Sequence, residues 1–253
     1  MSIEQAIKAL ASARSALFIT GAGISAASGV PTYRGIGGLY NDEHPEEGLS
    51  IEMALSGPML TLEPAITWKY IHQIERACRG ATFNAAHAAL ARLEPRFERA
   101  WVLTQNVDGF HRAAGSKNVI DIHGDTHRLY CTRCDYDRTV ASYEGLPDVP
   151  KCPRCGALVR PDVVLFGEAL PPAKVDTLLR ELGRGFDVVV SIGTSSLFPY
   201  ITSPVLQAAQ RGATTIEINP EDTSVTAAVA IKLRLPAVEA LSAIVAGLEG
   251  APA

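Results

Sequence analysis

The chain has 253 residues, enough for one large core or for one domain carrying a smaller insertion. A formal charge of -4, from 23 Lys and Arg against 27 Asp and Glu, with no basic block or stripe, speaks against a nucleic-acid partner. No apolar run approaches the ~18 residues of a membrane span. The N-terminal stretch does not read as a signal peptide, because Glu4 comes early and the apolar run from Ala16 to Ile19 is short. A cytoplasmic, reducing setting without a membrane partner is therefore expected. The five cysteines are expected to be metal ligands or core residues rather than disulfides.

In chain order, residues 3 to 13 carry helical apolar spacing, and "ALFIT" (16 to 20) reads as a buried strand running into a Gly-Ala-Gly turn. Residues 35 to 50, rich in glycine and charge, read as a loop. Helices are expected over 51 to 79, interrupted at Pro58 and Pro64, and over 84 to 95, stopped by Pro95. "AWVLTQNVD" (100 to 108), "NVIDIHG" (118 to 124), "DVVVSIGTS" (187 to 195) and "TTIEINPE" (214 to 221) are further apolar strands that end in polar residues. Helical stretches fit 173 to 183, 204 to 211 and 237 to 248.

Apolar strands alternating with helices predict an α/β fold with a parallel sheet covered on both faces. Ligands of such sheets bind outside the carboxyl ends of the strands. Gly21, Gly23, Gln105, Asn106, Asp108, His123, Gly193, Thr194, Ser195 and Asn219 should therefore converge on one site.

Two local signals carry chemistry. Gly21, Gly23 and Ala26 have the spacing G-x-G-x-x-A after a strand. Such a turn lets a backbone approach a pyrophosphate at a helix N-terminus, although strand-to-helix turns need glycine for their own sake as well. No second strand ending in an acidic residue follows about 20 residues on, so an ordinary dehydrogenase is not expected. The pairs Cys131-x-x-Cys134 and Cys152-x-x-Cys155, seventeen residues apart, fit a four-thiolate zinc site. Four thiolates close the shell, so the metal would be structural. Cys78, on an expected helix, reads as a core residue. His123 is then not needed as a ligand. It reads either as a base beside the crevice, with an ordinary pKa near neutral, or as a structural histidine.

Taken together, these segments resemble the sirtuins, the NAD-dependent protein deacylases. "GAGISAASGVPTYRG", "TQNVDGFHRAAG", "VIDIHG", "RPDVVLFGE", "IGTSS" and "IEIN" are similar to that family's motifs and come in the same order from about residue 16 to 221. The two cysteine pairs lie between HG and RP, where the family has its zinc module. The resemblance implies a Rossmann-like parallel sheet with an inserted small domain made of a zinc-binding module and a helical module. The NAD-binding domain would comprise residues 1–35, 83–127 and 159–253, the helical insertion 36–82 and the zinc-binding insertion 128–158.

The activity implied is transfer of an acyl group from lysine to ADP-ribose, with NAD as co-substrate and one structural zinc ion. The acyl oxygen attacks the nicotinamide ribose, and nicotinamide leaves. His123 matches the family's general base, which activates a ribose hydroxyl. Asn106 matches the residue that orients ribose hydroxyls and water, and Asp108 the one that holds the nicotinamide amide. Ala22, Ser25, Thr32, Tyr33, Arg34 and Gln105 would belong to the NAD loop. Gly193, Thr194 and Ser195 would bind phosphate or ribose, Asn219 the adenosine end, and Ala237 would lie against adenine. Val164, Phe166, Gly167 and Glu168 would form one side of the peptide-binding staple. Acyl-lysine proteins or peptides are the implied partners.

Two departures from the family pattern bear on specificity. Thr32-Tyr33 stands for the commoner Asp-Phe, as in the branch that removes acidic acyl groups. That branch also carries Tyr-x-x-Arg on the helical insertion. Here Gln73 follows Tyr70 at that spacing, and Arg76 lies nearly two helical turns from Tyr70, so neutral acyl groups are expected. In "GTSSLFPYITSP", Phe198 and Tyr200 add bulk that reads either as core filling or as altered substrate preference. Two other functions use the same residues: NAD hydrolysis or mono-ADP-ribosyl transfer from the same site, and a non-catalytic NAD- and zinc-binding module.

Overall fold

The computed structural model describes residues 2–30 and 48–250. Helix α1 (Ile3–Ser12) leads into β1 (Ser15–Thr20) and the short α2 (Ala22–Ser25). Helices α3 (Ile51–Ala54), α4 (Gly57–Leu62) and α5 (Pro64–Cys78) follow, then α6 (Ala85–Leu93), β2 (Arg99–Thr104), α7 (Phe110–Ala113) and β3 (Val119–Asp121). Strands β4 (Gly124–Cys131), β5 (Asp137–Thr139) and β6 (Val159–Val163) come next. The chain closes with α8 (Pro172–Arg184), β7 (Val188–Ile192), α9 (Pro199–Gln210), β8 (Thr214–Ile218), β9 (Ile231–Leu233) and α10 (Ala237–Gly250).

Six strands form a parallel sheet in the order β3-β2-β1-β7-β8-β9. β1 sits at the reversal of strand order. The chain moves outward from it through β2 to β3 on one side, then returns to β7 on the other. Thr20 pairs with both Thr104 and Ile192, so the carboxyl ends of β1, β2 and β7 are level. A crevice at that reversal is where such sheets bind ligands. Strand burial explains the continuous apolar runs: five of the six residues of β1 and all of β7 are buried. Phe18, Leu90, Ile244 and Leu248 belong to the core on one face, beneath α1, α6 and α10. Leu17, Leu103, Leu178, Ile201 and Val205 belong to the core on the other, beneath α8 and α9.

A third core lies apart from the large sheet. Strands β5-β4-β6 form a small antiparallel sheet. Against it pack α3, α4 and α5 through Leu55, Leu60, Trp68, Leu129, Tyr143 and Val159. The Trp68 indole is fully buried, and its N–H donates to the Val159 carbonyl at 3.1 Å, as a buried Trp N–H requires. This core clips the two inserted stretches to each other.

Pro58 and Pro64 lie in the first turns of α4 and α5, where a missing N–H costs nothing. The helix expected from residue 204 begins at Pro199 and holds Pro204 inside it. Cys78 is half-buried at the end of α5 rather than a core residue, and burial pushes its thiol up to about 11.

Candidate active site

The glycine turn after β1 is held by close backbone approach. Gly23 N–H donates to the Gly193 carbonyl at 2.8 Å, and Gly21 N–H to the Ile192 carbonyl at 3.2 Å. A Cβ on Gly23 would lie 2.7 Å from the Gly193 Cα, and one on Gly193 would lie 2.6 Å from the Gly23 carbonyl carbon. Gly193 also has φ +56. Both positions therefore require glycine. Asn84, the N-cap of α6, accepts from the Ala86 N–H and donates through Nδ2 to the Ile24 carbonyl and the Ser28 hydroxyl, which fixes the far side of the turn.

The end of β2 supplies the next layer. Gln105 Nε2 donates to Thr194 Oγ1 at 2.7 Å, joining β2 to the loop after β7. Asn106 is buried, and its Nδ2 lies 3.1 Å from both the Gly21 carbonyl and Ser25 Oγ. Ser25 in turn donates to Asp108 Oδ2 at 2.7 Å, and the Phe110 N–H donates to Oδ1 at 3.0 Å. Burial raises the Asp108 carboxyl above its ordinary value, against the pull of those two donors.

His123 follows β3. Its Nδ1 lies 3.0 Å from the Gln105 carbonyl, which can only accept, so Nδ1 carries the proton and Nε2 the lone pair. The Tyr200 hydroxyl donates to Nε2 at 2.6 Å. Burial holds the imidazole below its ordinary 6.5, and the nearby Lys174 charge adds to this against the Gln105 bond. The ring is thus neutral at neutral pH, the state a base needs.

These groups border one cavity of about 1050 Å³. Gly21, Ala22, Gly23, Gln105, Asn106 and His123 line it together with Gly193, Thr194, Ser195, Asn219 and Ala237. Val164, Phe166, Gly167 and Glu168 form part of its rim. Ser25 and Asp108 stand one layer behind, bonded to each other. Thr32, Tyr33 and Arg34 lie outside the described residues. The cradle fits a dinucleotide: glycine backbone at the sheet reversal, Asn219 Nδ2 donating to the Thr194 carbonyl at 3.2 Å, and the N-terminus of α10 at Ala237.

The rim segment is braced. The Val164 N–H donates to the His123 carbonyl at 2.8 Å. Phe166 N–H and carbonyl bond to Leu55 and Gly57. Arg160, largely buried, makes two bonds to Glu168, at 2.5 and 2.8 Å, and Glu168 also accepts from the Leu165 N–H.

The cavity also has an apolar arm toward the inserted modules, walled by Leu55, Ile71, Ile74, Val107 and Tyr143. The sequence reading, framed on Tyr70 and Gln73, missed this. Tyr70 is buried in the third core and Gln73 is exposed, so Ile71, Ile74 and the carboxylate Glu75 are the α5 residues that reach the cavity. The 3.6-residue period would have set this frame had the buried face been anchored on Trp68.

The four thiols of Cys131, Cys134, Cys152 and Cys155 all lie within 4.8 Å of one another. The closest pairs are 3.4 and 3.6 Å apart. Tetrahedral zinc with bonds of about 2.3 Å wants sulfurs about 3.8 Å apart. Backbone N–H groups of Arg133, Cys134 and Arg154 point at Cys131 and Cys152, as thiolate ligands require. The four cysteines are positioned to bind one zinc ion, at the far end of β4 from His123.

An α/β sheet with a glycine cradle at its reversal, a neutral imidazole in the same cleft and a separate four-thiolate site defines a nucleotide-using enzyme with a structural zinc module. A model of the Sir2 family matches residues 21–198. An "NAD-dependent protein deacylase 2" of Pseudomonas aeruginosa is 47% identical over 251 residues, covering 96% of each chain. A protein of the same name from Pseudomonas syringae is 48% identical over 244 residues, covering 95% of this chain and 98% of its own. Among solved structures, a mutant Sir2 homologue bound to ADP-ribose superposes with TM-score 0.88 at 38% identity, covering 98% of this chain and 97% of that one. The chain belongs to the Sir2 family.

Proposed function

We propose that the protein is an NAD-dependent protein-lysine deacylase that converts NAD, acyl-lysine and water to nicotinamide, lysine and O-acyl-ADP-ribose. The observation that carries the reading is the neutral His123, with Nδ1 tied to the Gln105 carbonyl, in the same cavity as the glycine cradle. The named relatives support it, as does a solved Sir2 protein with a deacetylated peptide and 3'-O-acetyl ADP-ribose, at 28% identity and TM-score 0.87 over 99% of both chains. Zinc, held by the four cysteines, supplies rigidity rather than chemistry.

In this reading the domains divide as the motifs do: 1–35, 83–127 and 159–253 bind NAD, and 36–82 and 128–158 are insertions. Gly21, Ala22, Gly23, Gln105, Gly193, Thr194, Ser195, Asn219 and Ala237 hold the co-substrate, with Thr32, Tyr33 and Arg34, and Ser25 braces them from behind through Asn106 and Asp108. Asn106 orients the ribose, and Asp108 receives the nicotinamide amide. The substrate lysine lies along Val164, Phe166, Gly167 and Glu168. His123 Nε2 takes the proton of a ribose hydroxyl, whose oxygen then attacks the acyl carbon. Water excluded by the cleft and groups fixed in advance around a cationic sugar lower the barrier.

The acyl group is neutral and apolar. The arm holds Ile71 and Ile74, and no described arginine lines the cavity. Arg79 is engaged with Glu75, and Arg76 is exposed. The substrates are cytoplasmic proteins. No helix among the described residues is long and apolar enough to cross a membrane.

The test is mass spectrometry of one reaction containing the protein, NAD and lysine peptides bearing acetyl, butyryl, myristoyl and succinyl groups. O-acyl-ADP-ribose with matching deacylation, succinyl least, is expected. Plain ADP-ribose with untouched peptides would establish NAD hydrolysis instead, and no turnover a binding module.

A further inference from the structure

Nε2 of His123 must receive a substrate proton, yet within the protein itself it already accepts a hydrogen bond. Tyr200 sits in the first turn of α9 with its hydroxyl 2.6 Å from Nε2. Phe198 stacks on the Tyr200 ring, centroids 5.4 Å apart and planes 13° apart, and both rings meet the imidazole edge-on at 6.0 and 5.8 Å. Burial pushes the phenol up to about 12, so it keeps its proton and stays a donor. With Nδ1 committed to the Gln105 carbonyl, the imidazole has one in-plane lone pair, and Tyr200 occupies it. A ribose hydroxyl and Tyr200 cannot both donate to it. One helical hydrogen bond is missing under Tyr200, because Pro204, four residues on, has no N–H to give the Tyr200 carbonyl.

We propose that Tyr200 is a positioning residue that caps His123 Nε2 and is displaced by the substrate hydroxyl, so that the base is exposed only when the sugar is seated. This rests on the reading of His123 as the base. Tyr200 keeps its O–H bond throughout and exchanges Nε2 for another acceptor. The substrate O–H breaks, the proton passes to Nε2, and the oxygen's electron pair goes to the acyl carbon.

Tyr200→Phe keeps the ring stack and removes only the donor. Long-range 1H–15N NMR of the histidines, with His123 assigned by its loss in His123→Asn, should show the Nδ1–H tautomer in both proteins and Nε2 moved downfield in the variant. At saturating substrates, the ratio of peptide deacylation to nicotinamide exchange should rise roughly two- to tenfold, the worth of one neutral hydrogen bond. In the wild type, saturating ADP-ribose should move the same resonance, a measurement that needs no variant. An Nε2 resonance unmoved by Tyr200→Phe, or by ADP-ribose, overturns the cap. So does a moved resonance with an unchanged or lower ratio. A wild type that deacylates no peptide would instead remove the deacylase reading, while the NMR arms still decide the Tyr200 contact.

Discussion

His123 takes its orientation from a backbone carbonyl, so its tautomer does not depend on the ionisation of a neighbour. Replacing it with alanine should lower deacylation by about 10²–10⁴-fold. NAD affinity by calorimetry should change little, because the cradle is built from Gly21, Gly23 and Gly193. Since burial holds the imidazole below 6.5, the neutral, active form persists into mildly acidic solution. The acid limb of kcat/KM should therefore fall below pH 6.5, and a limb centred above it would contradict the buried base. At Gly23 the backbone contact leaves no room for a methyl group. Gly23→Ala should cost about 1–3 kcal/mol in a urea melt and weaken NAD binding together with it. What could be read at this scale was residue type and place: Gly21, Gln105, His123, Gly193 and Asn219 each end an apolar run. The Tyr200 contact could not be read, because it depends on how the loop after β7 folds back toward β3.

Elements explain why some of the fold was legible. The edge strand β9, IKL, is too short to show a run, but the central strands β1 and β7 of the large sheet are buried almost throughout and spell out continuous apolar runs. Those of the small sheet do not. β4 reads GDTHRLYC and β5 is exposed throughout, so neither shows a run or an alternation. The cysteine spacing marked that module without revealing its strands. The segment after β6 depends on the Arg160–Glu168 pair, whose side chains are 9% and 26% exposed. Arg160→Met would leave the carboxylate poorly paired, at a cost of roughly 2–4 kcal/mol. It should also raise KM for peptide more than KM for NAD, since Glu168 holds the Leu165 backbone. Equal changes in both would argue against a role at the peptide edge.

For the whole molecule, acid stability is set in part by two buried histidines of the large domain. Burial lowers His87 to about 4 and His111 to about 3. In the unfolded chain both bind protons near 6.5, so the unfolded state binds more protons between these limits and stability must rise with pH there. The contribution of these two groups is complete above about pH 6.5. It should decline as pH falls toward 4, by on the order of a few kcal/mol per group. A His111→Gln variant should show a shallower decline of the urea midpoint over that window. Removing zinc with a chelator should melt the small core of Trp68 and Tyr143 while leaving the large sheet folded. Two separate transitions in Trp fluorescence and far-ultraviolet dichroism would register this.

The small sheet grows from the cleft itself. β4 starts at the residue after His123, and β6 ends at the residue before Val164, with Gly124 paired to Val163 at the root. At that root a methyl group on Gly124 would lie 1.8 Å from the Asp162 carbonyl oxygen. The zinc module is thus a long handle with an unforgiving hinge. Its tip, around the cysteines, lies a full strand away from His123, so a change of length there should disturb the cleft less than one at the root. A slip of one residue at Gly124–Val163 would turn over the faces of β4 and β6 and shift His123 and Val164, at their ends, with them.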